Sequence, residues 1–324
     1  MAMQSIHLIN PLENAAGGSE WRTLMLYDLL RPHADVHIWT ESKHDPRLPE
    51  DYPIENISME ERRFPCGGTF VFVGFYRQPG AWVFQSRSDR TIVIYNTPYP
   101  EQFVTMSQII SALKSPVEIV YAAKWLRKLA GQPGPVQPSP IDLEKFAPPA
   151  HRFVERDQFC VGRLSRDDVA KHYAPDIAMY KEMANNGIHI RLMGGMLFQE
   201  QLHNTPGIEL LPVCARPADV FLKELDCFYY RTDENWVEPF GRVIMEAMAT
   251  GLPVVAHQNG GYSEWITHGK SGFLFDTQQE AMELLLKLKR NPELRKAIGA
   301  AARETMEATY SAEATEEIVN FYLG

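Results

Sequence analysis

Regular alternation between short apolar runs and helical patterns is the feature that most constrains how this chain can fold. In the first half, runs typical of buried strands alternate with segments that have helical spacing. The strand-like runs are SIHLIN, ADVHIWT, GTFVFVGFY, RTIVIYN and VEIVYAA, and the helical segments are WRTLMLYDLL, PEQFVTMSQIISAL and AKWLRKLAG. This alternation predicts a parallel sheet covered by helices on both faces.

A proline-rich stretch separates this pattern from a second run of it. GQPGPVQPSPIDLEKFAPPAHR contains six prolines and few large apolar residues, which is typical of a linker. Behind it the predicted strands are DQFCVGRL, HIRLMGG, IELLPV, DCFYYRT and LPVVAH, and the helices are DIAMYKEMANNG, PADVFLKEL, GRVIMEAMATG and the C-terminal segments QEAMELLLKLKRNPELRKAIGAAARETMEA and AEATEEIVNFYL. The sequence therefore predicts an α/β protein of two Rossmann-like α/β/α domains, residues 1–147 and 148–308, that face a central cleft where a ligand binds.

Composition limits the classes of function. Of the 324 residues, 45% are apolar and 23% charged, which is ordinary for a globular protein. The formal charge of −9 argues against a nucleic-acid partner, because phosphates attract a basic field. The four cysteines lack metal-ligand spacing, so we expect reduced thiols in a cytoplasmic protein. No leader pattern and no apolar run of roughly 18 residues or more indicates export or a membrane span.

The stretch EPFGRVIMEAMATGLP, which begins at Glu238, gives the strongest indication of a ligand site. Pro239 and Gly241 predict a turn, strong helix formers follow, and Gly251 ends the helix. The helix therefore begins near residues 240–242, directly after a predicted strand. A helix that starts at the carboxyl end of a strand directs free N–H groups and a positive dipole end towards the cleft, which suits a diphosphate.

Two glutamates flank this predicted anion site. Glu238 precedes it, and Glu246 follows about two turns further along. A nucleotide-sugar has the same layout, with a sugar on one side of its diphosphate and a ribose on the other, so each carboxylate can accept hydrogen bonds from one set of hydroxyls. The alternative is structural, with Glu238 as a helix cap and Glu246 as a surface residue. The pattern by itself leaves both interpretations open.

Several motifs together resemble one enzyme family. EPFGRVIMEAMATGLPVVA followed by GGYSEWITHGKSGFLF is similar to the signature of retaining glycosyltransferases of sequence family 4, also called group 1, which have the GT-B fold. GGSE, PSPIDLEKFAP, VGRLSRDDVAK and LMGG occur in that family's order. The resemblance covers nearly the whole chain and is most specific in the second half. It implies that a C-terminal helix, residues 309–324, crosses back to the N-terminal domain; a helix packed on its own domain is the alternative.

The resemblance also implies a donor site in the second half. Glu238 would bind hydroxyls of the donor sugar, and Glu246 would bind the 2′ and 3′ hydroxyls of the ribose. Val213 would meet the base through its backbone. The N–H groups that would meet the sugar and the phosphate are those of Phe240, Gly241, Arg242 and Val243.

By the same resemblance, basic side chains would bind the diphosphate leaving group. These are Arg163 and Lys171 in GRLSRDDVAK. The gap between them is longer than is usual in the family, so Arg166 competes with Lys171 for this role. Guanidinium and ammonium groups suit it because they neutralise the charge that grows on the leaving phosphate. The alternative for such basic residues is a solvated surface.

The first half departs from the family pattern in one respect. Gly17 and Gly18 resemble the loop that closes over the diphosphate, where the lack of a Cβ allows backbone approach. At the position where the family often has a histidine facing the transferred sugar, this chain has Asn96 in IYNT. An amide can bind a sugar hydroxyl but does not titrate near neutral pH. Other histidines that remain candidates for the cleft, although core or surface roles are the alternative, are His7, His172 and His257.

These features predict a cytoplasmic retaining glycosyltransferase with a nucleotide-diphosphate-sugar donor and a hydroxyl acceptor. The chain has no Asp-x-Asp arrangement for a divalent metal, so we expect metal independence and no cofactor. Family analogy favours a bacterial envelope polysaccharide or glycolipid as acceptor. The alternatives are a nucleotide-sugar epimerase of the same fold and a non-catalytic nucleotide-sugar-binding protein. The run KWLRKLAG allows peripheral contact with the inner face of a membrane, although an ordinary amphipathic helix is the alternative.

Overall fold

The computed structural model describes residues 3–150 and 158–324. The chain divides into two compact units, one formed by Met1–Pro140 together with Ala312–Gly324 and the other by Ile141–Ser311. The first unit thus ends before the boundary predicted at residue 147. Part of the proline-rich stretch lies at residues 151 and 152, outside the described residues.

The described residues of the first unit form a six-stranded sheet in which all paired strands are parallel, with the order β3-β2-β1-β4-β5-β6. Its strands are β1 Ser5–Ile9, β2 Asp35–Thr40, β3 Ile54–Asn56, β4 Thr69–Val73, β5 Arg90–Tyr95 and β6 Val117–Tyr121. The helices are α1 Gly18–Leu30, α2 Pro100–Ile110 and α3 Lys124–Ala130, with 3-10 turns at Ala81–Phe84 and Ser111–Leu113. This strand order is the doubly wound arrangement that the alternating pattern predicts.

The second unit, in its described part, repeats this architecture with the strand order β12-β11-β10-β7-β8-β9. Its strands are β7 Phe159–Leu164, β8 Ile188–Met193, β9 Ile208–Leu211, β10 Cys227–Tyr230, β11 Val254–His257 and β12 Phe273–Phe275. Its helices are α4 Asp176–Asn185, α5 Gln199–Leu202, α6 Ala218–Lys223, α7 Arg242–Ala249, α8 Gln278–Arg290 and α9 Pro292–Thr309, and its 3-10 turns are Val169–Lys171, Met196–Phe198 and Gly261–Trp265. The predicted α/β class, with a parallel sheet in each half, is confirmed.

The last helix, α10 Ala312–Leu323, belongs to the first unit. Its buried residues Ile318, Val319 and Tyr322 pack in one cluster with Ile6 and other core residues of the first sheet. The Arg90 guanidinium also donates to the carbonyl oxygen of Phe321 at 2.6 Å. The apolar spacing of this helix therefore serves the core of the first sheet.

The described part of the proline-rich stretch is hydrogen-bonded to the folded units and is not a flexible linker. Backbone hydrogen bonds tie residues 135–137 to Tyr121 at the end of β6. In the second unit, the Arg303 guanidinium donates to the carbonyl oxygens of Leu143, Phe146 and Ala249. The prolines thus lie in extended chain that packs against each unit in turn.

No helix among the described residues is both long and apolar enough to cross a membrane. All four cysteines lie within those residues as free thiols, of which Cys160 and Cys227 are buried.

Candidate functional site

Helix α7 begins at Arg242, as the turn chemistry of the sequence predicts. Gly241 precedes it with a φ of 81°, a left-handed conformation that glycine adopts without strain. A Cβ at this position would also lie 2.6 Å from the ring of Tyr262. Both the backbone conformation and the ring therefore require glycine here, and the first turn of α7 presents its N–H groups behind this tight bend.

Glu238 lies in the loop between β10 and α7, so its position is set by the loop and not by helical rotation. Its backbone pairs with the loop that follows β11, where the Gly261 N–H donates to the Glu238 carbonyl oxygen at 2.8 Å. The side chain accepts hydrogen bonds from Lys171 Nζ at 2.7 Å and from the Tyr230 hydroxyl at 2.9 Å. The carboxylate is thus held from two sides and is not a helix cap.

The charge of Glu238 is maintained by its neighbours. Burial by itself would raise the pKa of this carboxyl, but the Lys171 ammonium, the Tyr230 hydroxyl and the Arg166 charge outweigh burial and hold the pKa below its ordinary value. The Lys171 and Glu238 side chains are only 10% and 12% exposed. A permanently ionised, nearly buried carboxylate of this kind is suited to accept hydrogen bonds from hydroxyl groups.

Lys171 ends the short 3-10 turn Val169–Lys171, which Asp168 caps by accepting from the Ala170 N–H. Its ammonium also lies 4.6 Å from the centre of the Trp236 ring. Arg166, the competing candidate, has a more exposed side chain than Lys171. Its Nη2 atom lies 3.9 Å from Asp168 Oδ2. The structure therefore brings Lys171 into direct contact with Glu238 and leaves Arg166 at the edge of the same charged cluster.

Arg163, the other predicted diphosphate contact, is buried in the second unit. The side chain is 1% exposed, and its guanidinium donates to the carbonyl oxygens of Lys171 and Arg231. It also lies 4.7 Å from the centre of the Tyr230 ring. Two of its donors, Nη1 and Nη2, thus contact backbone carbonyls, and the diphosphate contact of Arg163 stays a prediction.

Glu246 and Arg242 form an ion pair inside the second unit, one turn apart on α7. Arg242 Nε lies 2.8 Å from Glu246 Oε1, and both side chains are 8% exposed. Burial raises the pKa of Glu246 despite the opposing charge of Arg242. The alternative of a solvated surface glutamate is therefore wrong, because this carboxylate lies in the interior of its unit.

Val213, the predicted base contact, lies half-buried in the turn after β9. The next residue, Cys214, has a φ of 60°, and the Ala215 N–H donates to the Pro212 carbonyl oxygen at 3.2 Å. Val213 thus lies in a tight turn, and its backbone contact with the base stays a prediction.

In the first unit, the glycine pair lies at the start of α1. Gly17 is the residue before the helix, and Gly18 is its first residue. A Cβ on Gly17 would lie within 2 Å of the carboxylate of Glu20, which is itself buried. The protein's own Glu20 thus approaches the backbone at the place where the resemblance puts a phosphate.

Asn96 follows directly after β5, at the carboxyl end of the strand. Its Oδ1 atom is buried and has no hydrogen-bond partner among the described residues, and the same holds for the hydroxyls of Tyr95 and Thr97. A Cβ on Gly74 of the neighbouring strand end would lie 3.0 Å from this oxygen. The structure therefore provides polar atoms without protein partners at this strand end.

The candidate histidines are core residues in two of the three cases. His7 is buried in β1, accepts from the Trp39 indole at 3.0 Å, and has a pKa lowered by burial to about 4. His172 is buried next to Ser165, and burial lowers its pKa to about 3. His257 is half-buried at the end of β11, and burial also lowers its pKa.

Two residues of the site were missed from the sequence. Tyr230 lies in the predicted strand DCFYYRT, and Trp236 lies two residues before Glu238. Both contact the charged pair of Lys171 and Glu238. The signal available in the sequence was the run of aromatic residues at the end of the predicted strand, eight positions before Glu238, together with the tryptophan that precedes EPFG.

Comparison with known proteins matches part of the candidate site to a described family region. Residues 207–305 match the family model described as glycosyl transferases group 1, and this region includes Val213, Glu238 and Glu246. The chain is similar to trehalose synthase of Pyrococcus horikoshii, with 27% identity over 172 residues, which are 48% of this chain and 41% of the relative. It is also similar to the capsular polysaccharide biosynthesis glycosyltransferase CapM of Staphylococcus aureus, with 25% identity over 195 residues, 56% of this chain and 50% of the relative. The matched stretches thus span half or less of these relatives.

Among solved structures, the fold is similar to that of HepE from Anabaena in complex with UDP-glucose. The TM-score is 0.75 at 16% identity, and the match covers 99% of each chain. Together with the two parallel sheets, this likeness confirms the GT-B fold that the sequence predicts.

Proposed function

We propose, from the match of residues 207–305 to the glycosyl transferases of group 1, that the chain transfers a sugar from a nucleotide-diphosphate sugar to a hydroxyl acceptor with retention of configuration. The observation that carries the proposal is the paired Glu238, ionised and nearly buried beside the N-terminus of α7. A carboxylate held next to an ammonium and a helix N-terminus offers hydrogen bonds to sugar hydroxyls and positive charge to a diphosphate at the same place.

In this proposal, Glu238 binds hydroxyls of the donor sugar and Lys171 faces the diphosphate. Arg166 adds a second positive charge at the edge of the cluster. Negative charge grows on the leaving phosphate as its bond to the anomeric carbon breaks, and these cations stabilise it. Because they supply that positive charge, we propose that transfer proceeds without a divalent metal or other cofactor.

Retention follows when the acceptor attacks on the face that the phosphate leaves. The acceptor oxygen forms a bond to the anomeric carbon while the bond from that carbon to the phosphate oxygen breaks. The acceptor proton passes to the departing phosphate oxygen, so no side-chain base is required. This fits a chain with Asn96 at the position where the family often has a histidine.

The remaining roles follow the resemblance. Glu246 binds the ribose hydroxyls, with Arg242 holding its carboxylate, and Val213 contacts the base. The diphosphate also meets the backbone of the first turn of α7. Asn96 contributes its unpartnered amide oxygen to a sugar hydroxyl.

For the acceptor, we propose a bacterial envelope glycan or glycolipid, as the name of the capsular relative suggests. The enzyme would act in the cytoplasm, with peripheral membrane contact through α3. On that helix Leu126 is buried, whereas Leu129 is 45% exposed beside the basic Lys128. An exposed apolar side chain next to basic residues is suited to an anionic membrane surface.

The test is thermal stabilisation by UDP-, GDP-, ADP- and dTDP-sugars in EDTA, followed by transfer assays with the sugar that stabilises. We expect one nucleotide to raise the melting temperature of the wild type. Glu246→Gln should reduce this shift, whereas Glu283→Gln, an exposed glutamate on α8, should not. Stabilisation that appears only with added Mg²⁺, or none with any donor, would contradict the proposal.

A further inference from the structure

Glu238 receives both of its side-chain hydrogen bonds on the same oxygen. Lys171 Nζ and the Tyr230 hydroxyl both contact Oε2, at 2.7 Å and 2.9 Å. Within residues 3–150 and 158–324, no side chain donates to the other oxygen, Oε1. A carboxylate oxygen accepts more than one hydrogen bond, so Oε2 is occupied by the protein and Oε1 remains for a ligand.

Tyr230 is the rigid member of this arrangement. It is the last residue of β10 and is 2% exposed, so the strand and its neighbours fix the ring. Tyr262 packs edge-on against that ring, with the two centres 5.8 Å apart. Burial raises the pKa of Tyr230, so the hydroxyl keeps its proton and donates. Lys171, in contrast, reaches Glu238 through a flexible four-carbon chain.

Arg163 contacts the ring of Tyr230. Its guanidinium lies 4.7 Å from the centre of the Tyr230 ring and donates to the carbonyl oxygens of Lys171 and Arg231. One buried cation thus contacts the ring of one donor to Glu238 and the backbone of the other. This explains why the Arg163 guanidinium is enclosed.

We propose that Tyr230 is a positioning residue whose hydroxyl, supported by Arg163, fixes Oε2 of Glu238 and leaves Oε1 to accept hydrogen bonds from the hydroxyls of the donor sugar. This inference rests on the proposed function for its ligand. Tyr230 itself does not touch the donor in this account. Removal of its hydroxyl therefore weakens recognition of the sugar and leaves recognition of the nucleotide unchanged.

The neighbouring residue offers a matched control. Tyr229 is also buried in β10, and its hydroxyl donates to a carboxylate, Asp176 Oδ2, at 2.8 Å. Tyr229→Phe and Tyr230→Phe thus each remove one buried hydroxyl from one carboxylate, and only the second change affects Glu238. A merely structural role for Tyr230 would make the two variants behave alike.

The first readout is affinity. We compare binding of the nucleoside diphosphate alone with binding of the stabilising nucleotide-sugar in the wild type and both variants. Tyr230→Phe should weaken nucleotide-sugar binding roughly 10-fold and change diphosphate binding less than about 2-fold, because a hydrogen bond to a charged group is lost. Tyr229→Phe should change neither. Equal losses for both ligands, or equal effects in both variants, would overturn the proposal.

The second readout needs no donor, so it separates a failure of this proposal from a failure of the proposed function. Carbodiimide modification of Glu238, followed by peptide mass spectrometry across pH, reports the midpoint at which this carboxyl protonates. The charged and titratable groups facing it are Lys171, Arg166, Tyr230 and Tyr262. Tyr230→Phe should move the midpoint up by about one pH unit, because a hydrogen bond to the ionised form is lost. An unmoved midpoint would overturn the proposal, whether or not a donor binds.

Discussion

The paired carboxylates of the second unit differ from the polar side chains around the end of β5 in the first unit. In the second unit, Glu238 is held by Lys171 and Tyr230, and Glu246 by Arg242. In the first unit, buried polar atoms around the end of β5 have no partner among the described residues. These atoms are Tyr95 Oη, Asn96 Oδ1, Thr97 Oγ1 and Gln102 Oε1.

The difference is one of preorganisation before a ligand binds. The carboxylates of the second unit are oriented before any ligand arrives, so little reorganisation is needed on binding. A buried polar atom without a partner costs free energy in the unliganded protein, and a ligand that supplies the partner recovers it. We therefore expect substitutions in the second unit to affect both stability and binding, and those at the end of β5 to affect binding alone.

The largest effect is expected for Glu238→Gln. The variant leaves the nearly buried Lys171 without its carboxylate, so the free energy of unfolding should fall by about 3 kcal/mol. Turnover should fall roughly 10- to 150-fold, because charged hydrogen bonds to the sugar are lost. Chemical denaturation and initial rates measure the two effects. The control is Glu234→Gln, an exposed glutamate of the same loop, and equal rates in both variants would remove Glu238 from the site.

A smaller effect is expected for Glu246→Gln. The amide can still accept from Arg242, but the buried ion pair is lost, so we expect a loss of about 2 kcal/mol in the free energy of unfolding. Nucleotide affinity should fall about 10-fold, measured by calorimetry with the diphosphate alone. Unchanged affinity combined with lower stability would show that this pair is structural and has no contact with the ribose.

Each unit contains a buried histidine, His7 in the first and His172 in the second, whose protonation makes stability depend on pH. Burial lowers the pKa of His172 to about 3 and that of His7 to about 4. Each is neutral when folded, whereas the unfolded chain takes up a proton below about pH 6.5. Stability should therefore be full above pH 6.5 and fall as the pH decreases towards 4, by about 3 kcal/mol for each of the two histidines.

Substitution of single histidines tests which side chains cause this pH dependence. His172→Gln and His7→Gln should each flatten the fall in melting temperature between pH 6.5 and 4 by a similar amount, and they should differ only below pH 4, where folded His7 takes up its proton before folded His172 does. Exposed His203→Gln should leave the slope as in the wild type. A slope that is the same in all four proteins would contradict the neutral, buried state of these two side chains.

The smallest effect is expected for Asn96→Ala in the first unit. Because the amide oxygen has no protein partner, the melting temperature should stay within about 2 °C of the wild type. The ratio kcat/KM should fall roughly 2- to 10-fold, the value of one neutral hydrogen bond. Asn56→Ala, at the exposed last position of β3, is the control. A loss of stability without a loss of kcat/KM would remove the distinction between the two units.

Most of the fold could be predicted from the sequence because both sheets are parallel and buried. Their strands form apolar runs that stand out between helices. The two strands that were missed, β3 and β12, have three residues each and lie at the edges of their sheets. The break between α8 and α9 was also missed, although Asn291 before Pro292 is a helix-start signal, and Asn291 accepts from the Leu294 N–H.

The site was predictable only in part. The start of α7 follows from local turn chemistry, which the sequence displays directly. The pairing of Lys171 with Glu238, and the role of Tyr230, depend on side chains that are brought together by the sheet from separate parts of the chain. Arg163 shows the limit most clearly, because its residue type and position suggest a phosphate contact, whereas its burial and the contacts of Nη1 and Nη2 with backbone carbonyls are not visible in the sequence.

The most direct test of the central claim is calorimetric binding of a nucleoside diphosphate and of the matching nucleotide-sugar, in EDTA, to the wild type and to Glu238→Gln. If the second unit presents Glu238 to the donor sugar, the sugar adds roughly 10-fold less affinity in the variant than in the wild type, while diphosphate binding stays within about 2-fold. If the sugar contributes equally to binding in both proteins, Glu238 does not recognise it, and the account of the site is wrong.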